Sequence, residues 1–124
     1  MSQCLGIRGA TTADANTRNA ITHATEELLR ELVKANELAE TDVSAVFFTT
    51  TPDLNAEFPA MAARIGLGWE HTALMSSHEI DVPGAPSSVI RVLVLANTEK
   101  DKESLVHVYL KGAQHLRARG TSKQ

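Results

Sequence analysis

Apolar residues recur at helical spacing from about Asn16 to Asn36 (Ile21, Ala24, Leu28, Leu32, Ala35), while Arg18, Glu27, Arg30, Glu31 and Lys34 lie largely on other faces. That periodicity predicts one long amphipathic helix. Gln3 to Arg8 reads as a short strand closed by a Gly9-Ala10-Thr11-Thr12 turn. Ser44 to Thr51 (SAVFFTTT) mixes β-branched and aromatic residues before Pro52-Asp53 forces a turn, which predicts a second strand. A shorter helix is expected from Phe58-Pro59 to Gly66, because proline is tolerated in a first helical turn and glycine ends one. Further strands are predicted over His71 to Ser76, Val89 to Ala96 and Ser104 to Leu110, with the Pro83-Gly84-Ala85-Pro86 linker ahead of the most apolar of them. Lys111 to Leu116 can form a last helical segment.

Strands that are partly adjacent and partly separated by helices predict an α+β domain, a mixed β-sheet with helices on one face. At 124 residues the chain has the length of one such domain. It is expected to span residues 1–117, with 118–124 a polar, mobile tail. In Val89 to Ala96 both alternating sets, Val89-Leu93-Leu95 and Ile90-Val92-Val94, are apolar, unlike a half-exposed strand. The second sheet face then needs a cover, which assembly through the sheet would supply.

Twelve basic against 15 acidic residues, a net charge of -3, disfavour a surface that tracks phosphates, and none of the five aromatics is interleaved with basic residues. Nucleic acid is therefore not expected as a partner. Cys4, the single cysteine, allows neither an internal disulfide nor a thiolate cluster; it is read as a small buried hydrophobe in a reducing compartment. No leader of signal-peptide pattern and no run of about 18 uncharged apolar residues occurs, so a cytoplasmic protein without membrane attachment is expected.

Arg91 interrupts an apolar run, where burial of an unpaired charge costs on the order of several kcal/mol. It therefore needs an anion. Three readings are open: a salt bridge to Glu79, a sheet-edge arginine with its head in water, or a clamp for a carboxylate or phosphate, which the planar fork of a guanidinium suits. Arg8 ends another apolar strand, and Tyr109, the only tyrosine, sits on a third. Together they suggest a dianion site. The five histidines show no i, i+4 pair and GIRG lacks the length and lysine of a phosphate loop, so neither a metal nor a cofactor is expected.

Several blocks in order, GIRGATT (Gly6 to Thr12), TPDLNAEFPAMAAR (Thr51 to Arg64), HEIDVPG (His78 to Gly84), IRVLV (Ile90 to Val94) and HVYLKGAQHLR (His107 to Arg117), make nearly the whole chain resemble the AroH-class chorismate mutases, the small trimeric monofunctional type. The resemblance implies isomerisation of chorismate to prephenate by an intramolecular Claisen-type rearrangement in phenylalanine and tyrosine biosynthesis. It also implies a homotrimeric pseudo-α/β barrel with active sites at the subunit clefts. By position it implies that Arg8, Arg91 and Tyr109 contact the enolpyruvyl side chain, that Arg91 also reaches the ether oxygen, and that Glu79 takes the ring hydroxyl. Phe58 and Arg64 would come from the neighbouring subunit, Leu74, Met75 and Ser76 would add substrate contacts, and Arg117 would belong to a tail closing over the ligand. Two residues depart from the pattern: Ser76 stands where the best-known members carry a cysteine, and Met61 where a lysine is common.

No acid-base dyad or nucleophile is legible, and a pericyclic rearrangement requires none. It requires a folded substrate conformer and donors aimed at the oxygen that gains charge. Two other readings compete: a trimeric enzyme of the imine deaminase kind, and a dicarboxylate-binding protein without catalysis.

Overall fold

The computed structural model describes residues 2–116. Five strands, β1 (Gln3–Thr12), β2 (Val43–Thr50), β3 (Ala73–His78), β4 (Val89–Thr98) and β5 (Val108–Tyr109), form one sheet in the order β3-β2-β4-β1-β5, and the helix α1 (Arg18–Ala35) joins β1 to β2. β4 runs antiparallel to β1 and β2, whereas β2–β3 and β1–β5 are parallel pairs. The mixed sheet with its helix on one face is the α+β arrangement that the periodicities predict.

Thr17 caps α1, its hydroxyl accepting the Ala20 N–H at 3.1 Å. The buried stripe Ile21, Ala24, Thr25, Leu28, Leu29 and Leu32 recurs every three or four residues and so covers one side of the helix. Leu28, Leu29 and Leu32 meet Ile7, Val46, Phe48, Val92 and Val94 of the central strands in the core, while Ile21 and Ala24 pack with Ala13, Leu54 and Ile90. Because strand side chains alternate, Arg8, Phe47, Thr49, Arg91 and Leu93 stand on the opposite, open face. Phe47 and Leu93 are each 39% exposed there, an apolar surface that the described residues leave uncovered.

Several boundaries differ from expectation. β1 does not turn at Gly9 but pairs through Thr12 with Val89. Gly9 serves close approach instead: a Cβ there would stand 3.0 Å from Val92 Cγ2 and 3.2 Å from Leu32 Cδ1, so its absence lets α1 settle on the sheet. The fifth strand shrinks from Ser104–Leu110 to Val108–Tyr109. Asn36, buried at the C-terminus of α1, donates to the Val106 carbonyl and accepts the Val106 N–H, both at 2.8 Å, and so takes that peptide out of the ladder. β3 begins two residues late, since the His71 N–H and the Thr72 hydroxyl bond to Glu40 Oε2, each at 3.2 Å. The short helix finishes as a π turn over Ala62–Gly66, which places Ala63 in the core, and Arg30 of α1 ties down the Gly66 carbonyl at 3.1 Å. Cys4 is exposed rather than buried, because its neighbour Leu5 takes the core-facing position on β1.

Asp53 fastens the loop after β2 to the start of β4. Its carboxylate accepts the Ser88 N–H at 2.9 Å and the Ser88 hydroxyl at 3.2 Å, holding Ser88 at a φ of 59°. Burial pushes this carboxyl up, but hydrogen bonds from Thr51, its own backbone and Ser88 outweigh that and hold it below the usual carboxylate range. Among the described residues no helix is long and apolar enough to cross a membrane.

Candidate active site

A concavity of about 350 Å³ lies on the open face, lined among others by Arg8, Phe47, Thr49, Glu79, Arg91 and Tyr109. Register explains the gathering. Arg91 of β4 stands opposite Ala10 on one side and Thr49 on the other, and Tyr109 of β5 stands opposite Ala10 across β1. The small side chain of Ala10 leaves room above the floor of the hollow, and Arg8 enters from the same strand.

Glu79 follows β3 and is bent towards β4. Its N–H donates to the Thr50 carbonyl at 2.8 Å, and its Oε2 accepts a short hydrogen bond from the Thr49 hydroxyl. The same oxygen lies 3.6 Å from Arg91 Nε, longer than a hydrogen bond. The Arg91 side chain is 52% exposed and that of Glu79 31%, so the pair is loose and solvated. The expectation that Arg91 is a desolvated charge is thus not met within the single chain: strand alternation turns it away from the core. What remains of that reading is an accessible guanidinium, held beside one carboxylate and facing an open hollow.

The remaining expected residues do not all join it. Phe58, Arg64, Leu74 and Ser76 line a second concavity of about 320 Å³ at the β3 edge, where Arg64 Nη2 also donates to Met61 Sδ at 3.1 Å. Leu74 and Ser76 pair with Val46 and Phe48 and therefore look to the helix-bearing face, whereas Met75 pairs with Phe47 and looks to the open one. Ser76 Oγ is buried there with no hydrogen-bond partner among the described residues. The expected residues thus fall into two separate hollows on opposite faces of the sheet. Arg117 and the tail 118–124 lie outside the described residues.

Two residues near the first hollow were not anticipated. Thr49 holds the Glu79 carboxylate, and the alternation in SAVFFTTT, which puts it on the Phe47 face, could have pointed to it. His107 Nδ1 accepts the backbone N–H of Arg8 at 2.9 Å. Its only sequence signal is its place two residues before Tyr109.

Comparison with known proteins follows the same direction. The family model described as chorismate mutase type I matches residues 4–119. Chorismate mutase AroH of Thermus thermophilus is 45% identical over 113 residues, covering 90% of this chain and 92% of that protein. Chorismate mutase AroH of Bacillus subtilis (strain 168) is 37% identical over 112 residues, covering 90% of this chain and 88% of its own. Among solved structures, chorismate mutase from Clostridium thermocellum superposes with a TM-score of 0.87 at 50% identity, covering 89% of this chain and 97% of that one.

Proposed function

The chain belongs to the chorismate mutase type I family, and on that premise we propose how its residues isomerise chorismate to prephenate. The observation that carries the reading is the convergence of two guanidiniums, a carboxylate and a phenol, brought from four separate segments to one hollow on the open sheet face.

The rearrangement breaks a C–O bond while a C–C bond forms within the same molecule, so no proton or electron need enter or leave. Two tasks are left for the protein. The first is to hold the enolpyruvyl side chain folded over the ring, a loss of freedom that binding must offset. Arg8 and Tyr109 take that task by binding the side-chain carboxylate. The second is to stabilise negative charge on the ether oxygen as its bond lengthens. Arg91 does so, its planar fork serving the ether oxygen and the neighbouring carboxylate at once. Glu79, turned by Thr49, accepts from the ring hydroxyl and keeps the Arg91 head in place. Only the part of these contacts that strengthens in the transition state accelerates the step.

We further propose that residues 1–117 act as one domain in a homotrimer. Two observations support it: the apolar open face around Phe47 and Leu93 needs a cover, and the Phe58, Arg64, Leu74 and Ser76 hollow cannot reach the Arg91 hollow within one chain. Packing the β3 edge of one copy against the open face of the next brings the two half-sites onto one substrate. Met75, already on the open face, then lies beside that seam.

Incubating the purified protein with chorismate, and following its loss together with the appearance of prephenate, tests the reading. Stoichiometric conversion is expected. Tight binding without conversion would instead indicate a dicarboxylate-binding protein, and, in a parallel incubation with an imino acid, release of ammonia and a keto acid would indicate a deaminase.

A further inference from the structure

We infer that His107 is a positioning residue for Arg8, acting as a substitute for a missing rung of the β1–β5 ladder. The inference rests on the reading of Arg8 as a substrate contact.

β1 and β5 pair in parallel over only Gly9–Val108 and Ala10–Tyr109, with the Leu110 N–H donating to the Ala10 carbonyl at 2.9 Å. In a parallel ladder the donors on β1 engage every second residue, so the next donor down the strand is the N–H of Arg8 and its regular acceptor is the carbonyl of Val106. That carbonyl is engaged by Asn36 Nδ2 at 2.8 Å, and the Val106 N–H is engaged by Asn36 Oδ1. With the Val106 peptide held on both sides by Asn36, the Arg8 N–H donates instead to His107 Nδ1 at 2.9 Å. An acceptor at Nδ1 requires that nitrogen to be unprotonated, with the proton of the neutral ring on Nε2.

The arrangement places a side chain where a backbone carbonyl would stand, at the residue whose guanidinium enters the hollow. Without an acceptor, that N–H would lose its partner on the β5 side of β1, and the short outer strand β5 would be free to shift locally against β1, which β4 holds along its whole length. The strand β5 is also the one that carries Tyr109, so the same bond fixes the spacing between two groups that hold the substrate side chain. Asn36 and His107 divide the work: one ties β5 to the helix, the other ties it to Arg8.

Two substitutions separate positioning from general stability. His107→Leu removes the acceptor at similar volume, whereas His107→Asn keeps an oxygen at the same number of bonds from Cα. Hydrogen exchange of the Arg8 amide provides a readout independent of activity. His107→Leu is expected to speed exchange of that amide about tenfold or more, and His107→Asn to leave it within about threefold of the parent. In steady-state assays with chorismate, His107→Leu is expected to raise KM about tenfold with a smaller change in kcat, and His107→Asn to recover most of the loss. In an Arg8→Ala background, where only the part acting through Tyr109 remains, His107→Leu should lose most of its effect on kcat/KM.

Unchanged Arg8 exchange in His107→Leu would overturn the inference, as would equal losses in the Leu and Asn variants or a full His107→Leu effect in the Arg8→Ala background. Full activity of Arg8→Ala alone would instead overturn the site reading, and the exchange experiment would still report on the hydrogen bond.

Discussion

At the scale of single residues the proposed site depends on Arg91 and on what aims it. Arg91→Ala is expected to cut kcat/KM by at least about 10²–10³, the usual effect of losing a donor to a developing oxyanion, and Arg91→Lys to recover little because an ammonium cannot serve two oxygens in a plane. Near-wild-type turnover by Arg91→Lys, measured as prephenate formation, would refute the fork geometry. Thr49→Val keeps shape and removes the hydroxyl that holds Glu79. It is expected to lower kcat/KM about five- to tenfold with little change in melting temperature, in line with the net worth of one hydrogen bond; an unchanged kcat/KM would show that Glu79 is held without it. Arg8, Arg91 and Tyr109 were legible in the sequence because a charge or a lone phenol inside an apolar strand stands out against its neighbours. Thr49 and His107 were not, since a threonine in a strand is ordinary and a histidine acquires its role only when another strand's N–H reaches it. The supposed burial of Arg91 was misread for a related reason: a run of apolar letters does not say which of its two faces is covered.

At the scale of elements, periodicity located α1, β2 and β4, whose buried positions repeat as helix and strand require. The errors lie where a distant residue decides a local outcome. Gly9 looks like a turn former, yet it is a gap into which Leu28 and Leu32 of α1 pack. Ser104 to Val106 have strand-like neighbours, yet Asn36 claims the Val106 peptide from across the core. The loop after β2 yields a test of its own. The folded Asp53 carboxyl titrates below its unfolded value, so its contribution to stability is complete above about pH 4 and is lost as pH falls through the folded value. Thermal unfolding of the parent and of Asp53→Asn from neutral to acid pH should show a gap in favour of the parent that narrows as the carboxylate becomes protonated. A gap independent of pH would mean that shape, not charge, secures Ser88.

At the scale of the whole molecule, the division of the expected residues between two hollows makes assembly testable without a structure of the assembly. In the proposed assembly, Arg91→Ala would disable the open-face hollow and Arg64→Ala the hollow at the β3 edge. If neighbouring copies complete each other's sites, mixing the two inactive proteins under exchange conditions should restore activity to about a quarter of the sites, the share in which random pairing of subunits unites both intact halves. Failure of the mixture to recover, with exchange verified by mass, would place each site within one chain. The sequence alone supported assembly through its doubly apolar strand and supplied the number three only by resemblance, because a covered face does not say how many copies cover it. The shortness of β5 has a further consequence, for solubility. An outer strand normally offers a row of unmatched amides and carbonyls on which a strand from another molecule can grow into an aggregate. Here the outer strand is two residues long, and side chains already occupy the backbone groups of Val106 and the amide of Arg8 beside it, so β5 itself presents too little template for runaway strand addition.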